Sequence, residues 1–561
     1  MPHRLVSAAL LILVIAGCTT PSSGPEATAT SDAEQPPAAQ ATATDRSTAP
    51  LLDGIGPLHF PISSDKPLVQ TYFDQGLTLA FGFNHAEAVR SFREATRRDP
   101  TCAICFWGEA LALGPNINAP MGEQAIVPAW AAMQNALRLR PGASQREQAY
   151  IDAIAARYSE DGEDRATLDL TYAGAMAGLV QKYPDDLHAR TLYAEALMDL
   201  MPWEYWQDDG SPTNEHTTRL VAELEQVMAA DPEHVGALHL YIHAMERFEP
   251  EKAVVAAYTL GGLVPVAGHL VHMPSHIYLR VGRYEDAVNS NARAAEADED
   301  YIAQCNAQGL YPAAYYPHNV HFLWYAAMME GRKQLALDSA TKLTARVPQE
   351  MAKVMGPLQS YLAVPVYTYV RFGMWDELLA LPEPAHDLPF LQAMHLYGQG
   401  MAQAALGEIV AAQATLAELE TLGESDTLKA LTMRRPGAIE DLIGIARSLI
   451  SARIARSNGD AEEELAKLAH AVEHQDNLPY TEPPLWHYPV RQSLGDAQMR
   501  AGQPTEAITT FEQDLVQFPH NPWSLYGLEM ALGATAQNNQ SVVERRAHAW
   551  RNADIQPTVG W

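Results

Sequence analysis

The sequence predicts an all-α solenoid of stacked helical hairpins, on three observations. No stretch of the 561 residues alternates apolar and polar side chains as a half-buried strand does. Small and aromatic residues recur instead at fixed helical offsets along most of the chain. Apolar residues make up 47% of the sequence, enough for an extended core. The formal net charge of −30 argues against a nucleic-acid partner, which needs a basic face. The same charge makes the field around any bound cation attractive.

Residues 1–18 read as an address. His3 and Arg4 precede an apolar run over residues 5–15, too short to span a membrane. The run ends in Ile15-Ala16-Gly17-Cys18. This resembles a bacterial lipoprotein signal, which implies cleavage before Cys18 and acyl chains such as palmitate on that residue. Thr19 follows where Gram-negative lipoproteins of the inner membrane carry Asp, so the resemblance implies the outer membrane, facing the periplasm. Several acyl chains hold far more firmly than one. Residues 19–57 are mainly Thr, Ala, Ser, Pro and Gly, and read as a flexible tether.

The hairpins are expected from 58 to 545, with 546–561 as a C-terminal cap or tail. In "YFDQGLTLAFGFNHAEAVRSFREATRRDP", Gly76, Ala88, Phe92, Ala95 and Pro100 stand where two helices must approach closely, an aromatic must fill the gap and a proline must end the second helix. Gly495, Ala507, Phe511 and Pro519 repeat the register, as do Tyr278, Gly282, Tyr284, Ala287 and Ala294. Gly331, Ala336 and Pro348 mark a further unit, and Gly400, Gly407 and Ala412 another. A unit closed by Ala129, Ala136 and Pro141 has a swollen inter-helix turn around "GPNINAP". The pattern resembles the tetratricopeptide repeat (TPR) family over most of the chain, which implies a right-handed superhelical solenoid. Such solenoids mostly bind a partner protein or peptide in a concave groove. The blocks "HLVHMPSHIYLRVGRY" and "YYPHNVHFLW" also resemble long exported bacterial TPR lipoproteins of unassigned activity.

The TPR register places a cluster of histidines. His269, His272 and His276 take positions 2, 5 and 9 of one first helix, and His318 and His321 take positions 2 and 5 of the next. In the preceding unit His239 and His243 take positions 5 and 9, and Glu246 position 12. By the resemblance these positions line the concave face, so these residues, in central units spanning about 233–348, point into one trough. Imidazole is the commonest side-chain metal ligand, and helices in contact lie about 8–10 Å apart. The eight residues therefore predict a site for copper, zinc or iron, for one ion or two. Pro274 admits two readings: it bends the helix and fans His269 and His272 away from His276, or the helix starts there and those two histidines sit on a loop.

Beside the trough, residues 298–322 are too long for a repeat linker. Their Tyr311, Tyr315 and Tyr316 are candidates to wall a pocket, or to pack as an aromatic loop. Cys102 and Cys105 form a C-x-x-C at a helix start. They read as a disulfide or, with Cys305, as part of a metal site. No P-loop or G-x-S-x-G is present, and "HLYIHAME" lacks the Glu of H-E-x-x-H, so catalytic residues are not assigned. Two functions follow from the sequence: a membrane-tethered scaffold that binds protein or peptide and also a transition metal, or a metal-dependent enzyme built on such a scaffold.

Overall fold

The computed structural model describes residues 49–160, 164–305, 311–431, 433 and 437–557. Cys18, the rest of the signal segment and most of the tether lie outside the described residues. Within them every regular element is helical, apart from two isolated bridges, Asn116–Ala119 and Trp206–Pro212. No helix among the described residues is long and apolar enough to cross a membrane.

The helices pair into hairpins along close-approach seams, and the first one shows why. Helices Pro67–Phe81 and His85–Arg98 meet where Phe92 lies over Gly76. A β-carbon on Gly76 would stand 2.9 Å from that ring, closer than real contacts allow. Ala88, Phe92 and Ala95 are fully buried along the same seam. Helices Arg491–Arg500 and Pro504–Gln517 repeat the device with Gly495 under Phe511. Gly331, at φ 70°, ends helix Tyr316–Glu330 in the left-handed conformation that glycine adopts at no steric cost.

Two sequence expectations need correction. The tether is shorter than its composition implies, because Ala49 and Leu52 are buried against helix Pro67–Phe81. The Tyr72 hydroxyl donates to the Ala49 carbonyl at 3.1 Å, and the Leu52 amide donates to Gln75 Oε1 at 2.9 Å. The segment 298–322 is not a loop over its described part: helix Tyr284–Cys305 runs on for 22 residues, and a π-helical turn, Tyr311–Tyr315, leads straight into helix Tyr316–Glu330. The C-terminal tail is docked. Trp550 packs edge-on against Trp523 with ring centroids 5.0 Å apart. Asp554 accepts from the backbone amides of Lys333 (2.6 Å) and Gln334 (2.9 Å), capping helix Lys333–Thr344.

Both ends of the array meet on its central units. From the N-terminal side, Phe81 sits over Gly236 on helix Val235–Met245, and the Tyr301 hydroxyl donates to Asn84 Oδ1 at 3.2 Å. From the C-terminal side, Trp523 Nε1 donates to the carbonyls of Met328 (3.2 Å) and Met329 (3.0 Å), and Gly282 lies against the backbone of Pro519. The trough that the sequence leaves open is therefore roofed over. Cys102 and Cys105 form a disulfide, which removes the alternative of a thiolate site with Cys305. The Cys305 thiol is half-buried, and burial together with Glu87 pushes it up to about 12.

Gly236→Val is expected to destabilise the protein by about 1–3 kcal/mol or more in chemical denaturation, because a β-carbon there would stand 2.7 Å from the Phe81 ring. Gly174→Ala, on a helix face with open space, is the control and should be neutral or slightly stabilising. Equal denaturation midpoints for wild type and Gly236→Val would contradict the closed arrangement.

Candidate metal centre

Three neighbouring first helices supply the trough. Helix Val235–Met245 carries His239 and His243 one turn apart, and Glu246 caps its C-terminus. The short helix Gly268–His272 carries His269 and His272, and helix Pro274–Arg280 carries His276. Helix Tyr316–Glu330 carries His318 and His321. Neither reading of Pro274 holds in full. Met273 keeps right-handed helical torsions (φ −48°, ψ −38°) and Pro274 opens the second helix, so His269 and His272 sit on a helical turn rather than a loop. Nor does the break fan the histidines apart, since His272 Nε2 and His276 Nε2 face each other at 2.9 Å.

Six of the seven histidines come together. His239, His243 and His269 bring ligand atoms within 4.8 Å of one another, and so do His272, His276 and His318. A third set at the same spacing, His243, Glu246 and His276, joins the two. His321 does not take part. It lies flat against Trp324, with centroids 5.2 Å apart, and edge-on to Tyr361 at 5.0 Å. Three residues along the helix from His318, it is turned into the aromatic seam with the next unit.

The surroundings orient these rings. Asn291 Nδ2 donates to the Ala287 carbonyl at 2.7 Å, which fixes the amide so that Oδ1 accepts from His272 Nδ1 at 2.6 Å. His272 therefore presents a bare Nε2 lone pair. His239 Nδ1 donates to the Phe81 carbonyl, and its Nε2 has no hydrogen-bond partner. His276 Nδ1 lies 2.6 Å from Glu246 Oε2 and 2.9 Å from Glu482 Oε2. A ring held through one nitrogen by a carbonyl or carboxylate, with the other turned inward, is how protein metal sites orient their histidines. His243 and His269 are buried with no hydrogen-bond partner on either ring nitrogen. Buried polar atoms are almost always paired, and an orphan costs about 1–3 kcal/mol.

Burial, reinforced by neighbouring imidazoles, holds His239, His269, His272 and His318 far below the usual histidine range. Burial lowers His243 too, against the pull of Glu246. These five rings are neutral at ordinary pH, with lone pairs free to bind a cation. His276 is the exception: burial works against its charge, but Glu246 and Glu482 raise it to about 10. Glu246 is held low by His276 and His243 despite burial, and Glu482 is pushed up by burial and by the charge of Glu246.

The cluster opens onto a cavity of about 340 Å³, lined on one side by His243, His269, His276 and His318 and elsewhere by Tyr315, Tyr361 and Tyr480. Of the tyrosines expected as walls only Tyr315 lines it, edge-on to His269 at 4.9 Å. Tyr311 is core: its hydroxyl donates to Asp298 Oδ1 at 2.8 Å. Tyr316 points away and donates to Glu299 Oε1 at 2.6 Å. Periodicity put three tyrosines in one segment, but the helix running into them turns each to a different side.

Sequence reading missed Glu482, which arrives from the segment between helices Ala461–Asp476 and Arg491–Arg500. The only signal there is a long, proline- and aromatic-rich interval, "NLPYTEPPLWHYP". It also missed Phe83 and Trp203. Both hold a left-handed backbone (φ 56° and 67°), rare for bulky residues, and both touch the cluster. Phe83 lies 4.5 Å from His239, and Trp203 stands edge-on to His243 at 5.1 Å (ring centroids). Strained backbone of this kind gathers at functional sites. His234 and His188 show the opposite condition. His234 Nε2 donates to His188 Nδ1 at 3.0 Å, His188 Nε2 donates to the His59 carbonyl at 3.1 Å, and His234 Nδ1 accepts from the Ala237 amide at 3.2 Å. Every nitrogen of that pair is used.

No known family model and no curated protein sequence matches the chain. Among solved structures it is similar to yeast Tom70, at 9% identity over 83% of this chain and 89% of that one, with a TM-score of 0.29. The human IFIT1 dimer with m7Gppp-AAAA gives 10% identity over 88% and 92%, with a TM-score of 0.29. The P58(IPK) TPR domain gives 10% over 83% and 98%, with a TM-score of 0.22. At these values no argument is drawn from the likeness, and the assignment of the hairpins stands on their own seams.

In metal-free protein, His243→Leu is expected to leave stability unchanged or raise it by about 1 kcal/mol, because two orphaned buried nitrogens are removed. His188→Leu, which breaks the satisfied pair, should cost about 1–3 kcal/mol. Denaturation of chelator-treated variants measures both, and a loss of more than about 2 kcal/mol for His243→Leu would mean that its ring is hydrogen-bonded after all.

Proposed function

We propose that this chain is a metal-binding protein of the bacterial cell envelope, whose transition ion sits in the histidine trough and faces a small-molecule cavity. The observation that supports this best is the set of neutral, buried imidazole nitrogens that converge without hydrogen-bond partners. A fold does not keep such groups for stability, since each is a cost unless a cation, or water from the adjoining cavity, meets it. A donor set dominated by imidazole suits copper or zinc, and the carboxylates of Glu246 and Glu482 extend the choice to iron. The cavity favours the metal-dependent enzyme as a second reading, because its volume fits a small substrate and the histidines form part of its wall. A partner protein, the usual occupant of helical repeats, would meet the outer faces of the array, because the histidine face is buried.

Protein produced without a polyhistidine tag should carry stoichiometric copper, zinc or iron by mass spectrometry. His243→Ala with His276→Ala cuts into all three sets of candidate ligands and should abolish it without changing helical content. Wild-type protein that takes up none of these metals after incubation would refute the proposal.

The envelope location is supported by the Ile15-Ala16-Gly17-Cys18 motif. Cys18→Ser is expected to move the protein from the membrane fraction to the soluble one. Retention of the variant on membranes after a high-salt wash would rule out a lipid anchor at that residue.

A further inference from the structure

We propose that the trough holds two metal ions, one in each of two three-histidine nests, with the Glu246 carboxylate between them; this rests on the metal-binding reading above. The six histidines do not gather round one point. Among the described residues they divide into His239, His243 and His269 on one side and His272, His276 and His318 on the other. The only further set takes one histidine from each nest and adds Glu246.

The dimensions of each nest suit one ion. Imidazole nitrogen binds zinc at about 2.0–2.1 Å, which puts ring centroids about 4.5–5.5 Å apart at ordinary coordination angles. In the first nest the centroids are 4.9, 5.0 and 6.2 Å apart. In the second they are 4.8, 4.8 and 5.8 Å apart. The widest pair in each is no closer than the cross-nest pairs His243–His276 (5.5 Å) and His269–His272 (5.8 Å), so the division into two nests rests on the ligand atoms. The 2.9 Å between His272 Nε2 and His276 Nε2 is also the separation of two nitrogens bound to one ion at about a right angle.

Glu246 stands between the nests as an orienting group: on His276 it meets Nδ1, the nitrogen turned away from His272, so it holds the ring without taking a coordination position. One of its oxygens lies 3.6 Å from His243 Nδ1, in the first nest, and the other 2.6 Å from His276 Nδ1, in the second. Each nest has three protein donors, so each ion keeps an open position, as catalytic zinc and copper sites do. Residues of both nests line the same cavity: His243 and His269 from one, His276 and His318 from the other. Two divalent ions against the carboxylates of Glu246 and Glu482 leave an excess of positive charge beside it. The ligand that fits there is a small anion or an ionisable oxygen donor, such as hydroxide, a carboxylate or a phenolate, spanning both ions.

The test is zinc uptake by the full, untagged, chelator-treated chain, read as bound equivalents after desalting and as anomalous peaks at the zinc edge in crystals. Two equivalents and two peaks are expected. His239→Ala with His269→Ala, and His272→Ala with His318→Ala, should each retain one. A wild-type protein with one equivalent and a single peak between His243 and His276 overturns the two-ion proposal and leaves the metal-binding reading standing. A wild-type protein that binds none of zinc, copper and iron overturns both. Should a double variant fail to fold, the wild-type peaks decide: two uphold the proposal and one overturns it.

Discussion

The docking of both ends of the array onto its central units is the constraint from which the rest follows. Gly236 admits the Phe81 ring from one side, and Gly282 admits the Pro519 backbone from the other. Any side chain at either position would hold the ends off. With the ends in place, the face that carries the histidines is largely removed from bulk water, apart from the cavity beside it. That removal turns a row of groove residues into buried, neutral imidazoles, because desolvation penalises the charged form.

The central units bear the consequence. Phe83 and Trp203 hold left-handed backbone against the cluster, and His243 and His269 keep nitrogens that bond to nothing. Elsewhere His188 and His234 satisfy every ring nitrogen. His234 is as buried as His243, so burial alone does not explain the orphaned rings. The regular seams elsewhere, Phe92 over Gly76 and Phe511 over Gly495, supply the packing that lets a local cost persist.

Charge is distributed to match. One imidazole, His276, is held positive by two buried carboxylates, and the others are neutral. A proton on His276 Nε2 faces the lone pair of His272 Nε2 at 2.9 Å. Around it the protein carries a net charge of −30, which favours cations over anions in the approach.

The sequence by itself determined the hairpins, their register and which helices carry the histidines. These are local properties: helix periodicity and the glycine–aromatic seam are written within a few tens of residues. It also placed His239, His243, Glu246, His269, His272, His276 and His318 on one side of three neighbouring helices. It misjudged Tyr311 and Tyr316, because a π-helical turn and an extended helix reset the rotation of that segment, which no period reveals, and it misjudged His321, which packs on Trp324 and Tyr361 of the next seam. Only the tertiary structure decided that the trough is buried, that Glu482 enters it and that the six histidines divide into two nests. Those outcomes depend on contacts between residues hundreds of positions apart, and their energies are set by the removal of bulk water at the assembled centre rather than by any stretch of chain.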